Sequence, residues 1–312
     1  MLSRIASNLY WMSRYQERAE SLARMLDVSY TMSLLPMSKG GRKELAAPLY
    51  ITGNTEVYKQ HYEALSQEDL LDFFAVNETH QGSIYSCIKN ARDNAHAVRG
   101  TISTEIWESI NSTWLEIQDI KEAGIGGIGA STFCERIKER SNVYRGAVNS
   151  TLLRSNAFDF IKMGAALERA DNTARILDAK YQVAKKQDQK QIAIDYYHWN
   201  ALLFSLSAGE AYHQIYFDSI AAKNVAELLI LNGYLPRSLR VCIEEVHAIL
   251  EKVEGGPLNN KVKRNVSILS SKLRFGNIEE IIESGLHDYL TDFLQQIHEI
   301  ADNLQQAYME TL

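Results

Sequence analysis

The sequence predicts an all-α protein: a multi-helix bundle in which one helix rich in Glu-Arg pairs occurs twice. Three observations predict it. Only 4 prolines interrupt 312 residues, and good helix formers fill the stretches between them. Apolar residues recur at three- and four-residue spacing over long windows. Met12–Tyr30 aligns without gaps to Met163–Tyr181, an offset of about 151 residues.

The first helix is expected to start after Ser3, a suitable N-cap, with Ile5, Leu9, Met12, Ala19, Leu22, Ala23 and Leu26 following at helical spacing. From Leu34 to Pro48 the pattern breaks, with Pro36, Gly40, Gly41 and Pro48 as punctuation. A helix is expected at 54–65, then a short one capped by Ser66 with Asp69 at its third position. Helices at 81–99 and 103–123 follow, the latter with Ile106, Ile110, Trp114 and Ile117 on one face. Trp107 and Trp114, seven apart, read as a core stripe. Gly124–Gly129 is a loop, after which Ser131 is expected to cap the next helix. It lacks the strand before it and the Lys-Ser/Thr after it that a phosphate loop requires. Further helices are expected at 132–153, 157–185, 193–207, 219–231, 237–253, 258–274 and 285–308, with Pro236 just inside the start of one. Short connections between helices argue for a single bundled domain over 1–312, with the repeated helices near 3–32 and 157–185.

Hydrophobic residues make up 46% and charged residues 23%, enough apolar surface for a core. The net charge of −6 makes nucleic acid a poor partner, and Lys261-Val262-Lys263-Arg264 reads as a solvated helix face. No apolar run approaches the ~18 residues of a membrane span. The longest candidate, Trp199–Leu206, is interrupted by Asn200 and Ser205. The N-terminus lacks a basic segment followed by an apolar one, so no secretory signal is expected. Cys87, Cys134 and Cys242 have neither metal nor disulfide spacing and read as reduced, buried thiols, consistent with a cytoplasmic setting.

The repeated helices carry the most informative charges. Glu17/Glu168, Arg18/Arg169, Arg24/Arg175 and Asp27/Asp178 match, and Glu20/Asp171 keeps its charge. In the first copy Leu9, Met12, Ala19, Leu22 and Leu26 form one face, and Arg14, Glu17, Ser21 and Arg24 the other. That second face is bounded by Tyr10 and Val28. In the second copy Glu168, Asn172 and Arg175 lie between Ile161 and Ala179. Each helix is therefore expected to be covered on both sides, with a polar island in its middle. Three readings stay open: a surface ladder of ion pairs, a buried network in which each carboxylate meets an arginine of the other copy, or a polar pocket for a carboxylate or phosphate. The candidate residues are Arg14, Glu17, Arg18, Arg24, Glu168, Arg169 and Arg175, with Arg92, Arg99, Arg237 and Arg240 as outer candidates.

Glu210-x-x-His213 and Glu244-x-x-His247 offer a second chemistry. Two such pairs, joined by Glu17 and Glu168, would give the ligand set of a di-metal helical bundle, although the motif is short and arises often by chance. No serine, cysteine or threonine lies in a nucleophile-elbow pattern. His96 reads as an exposed or satisfied histidine beside Arg92 and Arg99. No cofactor and no metal is expected.

These Glu-Arg helices carry a family resemblance. The opening helix Leu2–Val28 resembles that of the Alpha-E family, a helical domain with repeated Glu-Arg motifs, and so does Leu167–Tyr181. Asn90-Ala91-Arg92 through Arg99, Glu105–Glu108, Glu210-Ala211-Tyr212, Val225–Leu229 and Pro236–Arg240 extend the resemblance over the chain. Tyr15-Gln16 before Glu17 differs from Ala166-Leu167 before Glu168, so the two copies are not chemically identical. The resemblance implies no catalytic mechanism. It implies association with a circularly permuted ATP-grasp protein and a transglutaminase-like protein. The expected role is therefore a non-catalytic partner or ligand-binding subunit of a peptide-ligating or peptide-modifying system. The alternative is an enzyme, either a di-metal protein or a transferase acting beside the ligase.

Overall fold

In a computed structural model, described for residues 3–34, 41–185, 192–217, 219–253 and 261–309, the described residues form fifteen α-helices and no strand. The chain divides into two compact units, Met1–Ala165 and Ala166–Leu312.

The first unit contains α1 (Ser3–Ser33), α2 (Gly41–Thr52), α3 (Thr55–His61), α4 (Gln67–Leu71), α5 (Ile84–Ala97), α6 (Thr104–Ala123) and α7 (Ala130–Thr151). Helices α5, α6 and α7 pack in sequence, and α1 lies against α5 and α7, making a four-helix core flanked by α2. The core is filled by the stripes the periodicity indicated: Leu9, Met12, Ala19 and Leu22 from α1, and Ile106, Ile110, Trp114 and Ile117 from α6. Ser66, Ser83 and Ser103 each accept a hydrogen bond from a backbone N–H of the first turn of α4, α5 and α6.

Two expectations fail here. Pro48 does not end a helix but sits inside α2, which runs to Thr52. Pro48 lines an apolar seam with Leu26, Tyr30, Leu45 and Leu70, and this burial offsets the helix bond a proline removes. The expected breaks at Pro36 and Gly40 lie outside the described residues. Ser131 does not cap α7 either; Gly129 (φ +78°) holds that position, and the Ser131 hydroxyl donates to Asp27 at 2.9 Å. The Gly124–Gly129 loop holds a single 3-10 turn between two left-handed glycines.

Helix α8 (Asn156–Lys185) begins in the first unit and continues into the second. The second unit adds α9 (Ile192–Ser205), α10 (Gly209–Tyr216), α11 (Ala222–Ile230), α12 (Leu239–Lys252), α13 (Lys261–Arg274), α14 (Ile278–Ser284) and α15 (Leu286–Leu304). Helix α13 packs against α12 and α15, and α14 against α11 and α15. Pro236 lies in a turn rather than inside α12. Ser238 is the N-cap, accepting from Val241 N–H at 3.0 Å while its own hydroxyl donates to the Asn232 carbonyl at 2.6 Å. Helix α14 was not expected; it is a seven-residue turn capped by Asn277, too short for its periodicity to show. Helix α10 ends where Phe217 turns left-handed (φ +48°).

Candidate functional site: two carboxylate-arginine clamps

On the polar face of α1, Glu17 and Ser21 are buried while Arg14 and Arg24 are half-buried. Ser13, Gln16, Glu17, Glu20 and Ser21 are all nearly inaccessible. A charge in that setting persists only if paired. The pairing centres on Glu20. Arg24, one turn along the helix, donates to its Oε1 through Nε at 2.9 Å and through a terminal nitrogen at 2.8 Å. Arg145 of α7 donates to both carboxylate oxygens, one contact very short and the other 3.2 Å. The Arg145 guanidinium also lies 3.9 Å from Glu17. One turn pair further, Asp27 meets Lys138 of α7 at 2.8 Å. Residue numbers rise along α1 as they fall along α7, so the two helices run antiparallel and are tied at both points.

The second unit carries a like arrangement on α8. Glu168, Asp171 and Thr173 are buried. Arg175 donates to Asp171 at 2.7 and 3.2 Å, and His298 of α15 lies 2.9 Å from the same carboxylate. Asp178 meets His287 of α15 at 2.7 Å. Burial pushes the Asp171 carboxyl up, but the hydrogen bonds and charges of His298 and Arg175 outweigh it and hold it at about 2. The aligned carboxylates thus use the same spacing to their arginine and each takes a cross-helix partner. In the first unit those partners are Arg145 and Lys138; in the second they are His298 and His287.

The carboxylates held by the clamps are Glu20 and Asp171, which sequence matching aligned without singling out. Their signal was present: Glu or Asp four residues before Arg is the favoured helical pair. Arg145, Lys138, His287 and His298 carried none, because nothing local says which distant helix lies opposite.

The remaining candidates lie elsewhere. Arg14 donates to Tyr10 OH at 3.2 Å and sits 5.1 Å from the Trp11 ring centre, and Arg18 stacks near Tyr15. Glu168 is buried and Arg169 half-buried on α8. Arg92 and Arg99 lie 5.7 and 4.9 Å from the ring centre of Trp107, with Arg92 also donating to Asn111 at 2.8 Å. Trp107 is therefore half-buried beneath two guanidiniums, while Trp114 is in the core; His96, exposed, flanks Trp107. Arg237 is buried, and its carbonyl accepts from Thr173 Oγ1 at 2.9 Å. Arg240 pairs with Glu244.

The two Glu-x-x-His pairs are occupied differently from a metal site. Glu244 is taken by Arg240 at 3.1 Å and Arg274 at 2.9 Å, and His247 lies 3.0 Å from Ser267 Oγ. Glu210 and His213 are exposed. Among the described residues no group of three or more His, Cys, Asp or Glu side chains is placed to hold a metal ion. The three thiols are buried and in no disulfide, and burial pushes Cys134 up to about 12. Among the described residues no helix is long and apolar enough to cross a membrane.

Next to the first clamp, Gln16 Nε2 and Ser21 Oγ are buried without a hydrogen-bond partner among the described residues, and the Ser13 hydroxyl lies beside the buried Tyr144 phenol. Burial, with the nearby Glu17 charge, pushes the Tyr144 phenol well above its ordinary range against the opposing influence of Ser13 and Arg145. The island therefore keeps hydrogen-bonding capacity beyond its paired charges.

Curated proteins of Mycobacterium bovis and of two strains of Mycobacterium tuberculosis, each described only as uncharacterized, are 22% identical over 316 residues, covering 95% of this chain. That region is 35% of each relative, so the chain spans about a third of the length of the curated relatives it matches. No solved structure matches. The profile of a predicted alpha-helical domain with a conserved ER motif, Alpha-E, matches residues 1–309. With its Glu-Arg helices in an all-helical fold, the chain belongs to the Alpha-E family.

Proposed function

We propose that this protein is a non-catalytic partner or ligand-binding subunit of a peptide-ligating or peptide-modifying system. Its associates would be a circularly permuted ATP-grasp protein and a transglutaminase-like protein, as the family resemblance implies. The observation that carries the partner reading is the length relationship: the relatives hold a region like this one within a chain of which it is 35%. A domain joined covalently to others works at a high effective concentration of them. The carboxylate-arginine clamps support the reading because their charges are matched to one another, which suits a rigid scaffold. The ligand-binding part rests on the buried Gln16 amide and Ser21 hydroxyl, beside the Ser13–Tyr144 pair, which together could receive a small polar group.

The test is co-purification of the full chain with a tagged ATP-grasp protein and a tagged transglutaminase-like protein of the same organism, repeated with Gln16→Leu and Tyr144→Phe after circular dichroism shows they fold. The reading expects a complex with at least one of the two. Absence of both complexes, or turnover by the isolated chain, would sink it in favour of an enzyme.

A further inference from the structure

Helix α13, Lys261–Arg274, carries five basic side chains and no acidic one, in a chain whose net charge is −6. Its buried face is Val262, Val266, Leu269, Ser270 and Leu273. The opposite face presents Lys261, Arg264, Ile268, Ser271, Lys272 and then Phe275, all exposed. These positions fall within about 100° of arc and rise roughly 21 Å along the axis. Lys261, Arg264 and Lys272 make no ion pair among the described residues, in contrast to Arg274, which is held by Glu244. Two large apolar side chains lie among the cations: Ile268 is 45% exposed and Phe275 81%.

A third exposed apolar group stands at the same end. The turn 231–234 lies against the C-terminal end of α13, since a Cβ on Gly276 would meet the Leu231 side chain at 3.0 Å. Arg240 fixes the turn by donating to the Leu231 carbonyl at 3.3 Å while sharing Glu244 with Arg274. Tyr234, in this turn, is 93% exposed. Backbone N–H groups of Tyr234 and Leu235 both donate to Asn232 Oδ1, so the exposed ring projects from a fixed turn.

We propose that the Lys261–Phe275 face of α13, extended by Tyr234, docks an acidic amphipathic segment of a partner protein. This rests on the partner reading above and names the surface. Cations interleaved with apolar groups at helical spacing complement a segment with carboxylates and apolar residues at the same spacing. A nucleic acid or an anionic membrane would meet only these three cations on a chain that is acidic as a whole, too few to hold a polyanion against the net charge of −6.

The test uses the full chain and a fluorescein-labelled helical peptide of about four turns, with glutamates on one stripe bordered by leucine and phenylalanine. Fluorescence polarisation should show binding that weakens with added salt. A triple variant, Lys261→Glu with Arg264→Glu and Lys272→Glu, should lose at least tenfold in affinity, and Phe275→Ser with Tyr234→Ser at least threefold, both with unchanged circular dichroism. No binding, or equal binding by the variants, overturns the proposal. So does equal or tighter binding, with the same sensitivity, of phosphatidylserine vesicles or a single-stranded oligonucleotide. Capture of the ATP-grasp or transglutaminase-like protein that the α13 variants leave intact also overturns it, while leaving the partner reading standing. Variant-sensitive peptide binding without either complex upholds the surface and removes only the proposed associates.

Discussion

Glu20 and Arg145, 125 residues apart in sequence, form a charge pair in which the carboxylate is fully buried and the guanidinium about a third exposed. Arg24 closes the other side of the same carboxylate. Desolvation makes Glu20 depend on both arginines. Replacing Arg145 by Ala should therefore destabilise the protein by about 3 kcal/mol, far more than Arg136→Ala, whose guanidinium is half exposed on the same helix. Chemical denaturation of both variants checks the ordering. Equal losses would mean that burial does not govern the pair.

The second clamp titrates. The Asp171 carboxyl is held at about 2 against an ordinary value of 3.8. A group depressed in the folded state stabilises fully above its unfolded value and loses that contribution as pH falls through the folded one. Asp171 should thus supply about 2 kcal/mol above pH ~4, disappearing between pH ~4 and ~2. Asp171→Asn should flatten this acid limb in a stability profile while costing stability at neutral pH. An unchanged slope would show that Asp171 is not held down in solution.

Gly164 answers to a close approach within the first unit. A Cβ there would lie 2.4 Å from the Tyr10 carbonyl oxygen, a backbone atom that cannot swing away. Gly164→Ala should destabilise by about 2 kcal/mol or more, although alanine is the better helix former. Gly146→Ala, which meets nothing within 4 Å, is the matched control and should be neutral or stabilising. A stabilised Gly164→Ala would show that the two backbones are further apart.

All three thiols are buried, and burial raises Cys134 to about 12. Thiol-specific reagents at pH 8 should label none of them in the native protein within minutes and all three after denaturation. Rapid native labelling of Cys134 would contradict its placement.

The helices and the cap at Ser66 were legible because they depend on local spacing. The four-residue spacing of Glu20 and Asp171 to arginine was present in the sequence, but Glu17 and Glu168 stood out instead. It could not show Arg145 or His298, because a cross-helix partner is set by packing between segments more than a hundred residues apart. Pro48 inside α2 was hidden for the same reason: the seam with Leu26 and Tyr30 overrides a local breaker signal. Trp107 shared its spacing with Trp114, yet only the placement of Arg92 and Arg99 decides that one ring packs under cations and the other in the core.

The central claim is that Glu20, one turn from the Glu17-Arg18 pair, is a structural clamp whose carboxylate is shared between α1 and α7. A double-mutant cycle on Glu20→Gln and Arg145→Met, read by chemical denaturation, tests it most directly. The clamp predicts a coupling free energy above about 1 kcal/mol, the double variant being markedly more stable than the sum of the single losses implies. Losses that simply add would contradict it, leaving Glu20 and Arg145 as neighbours that do not depend on one another.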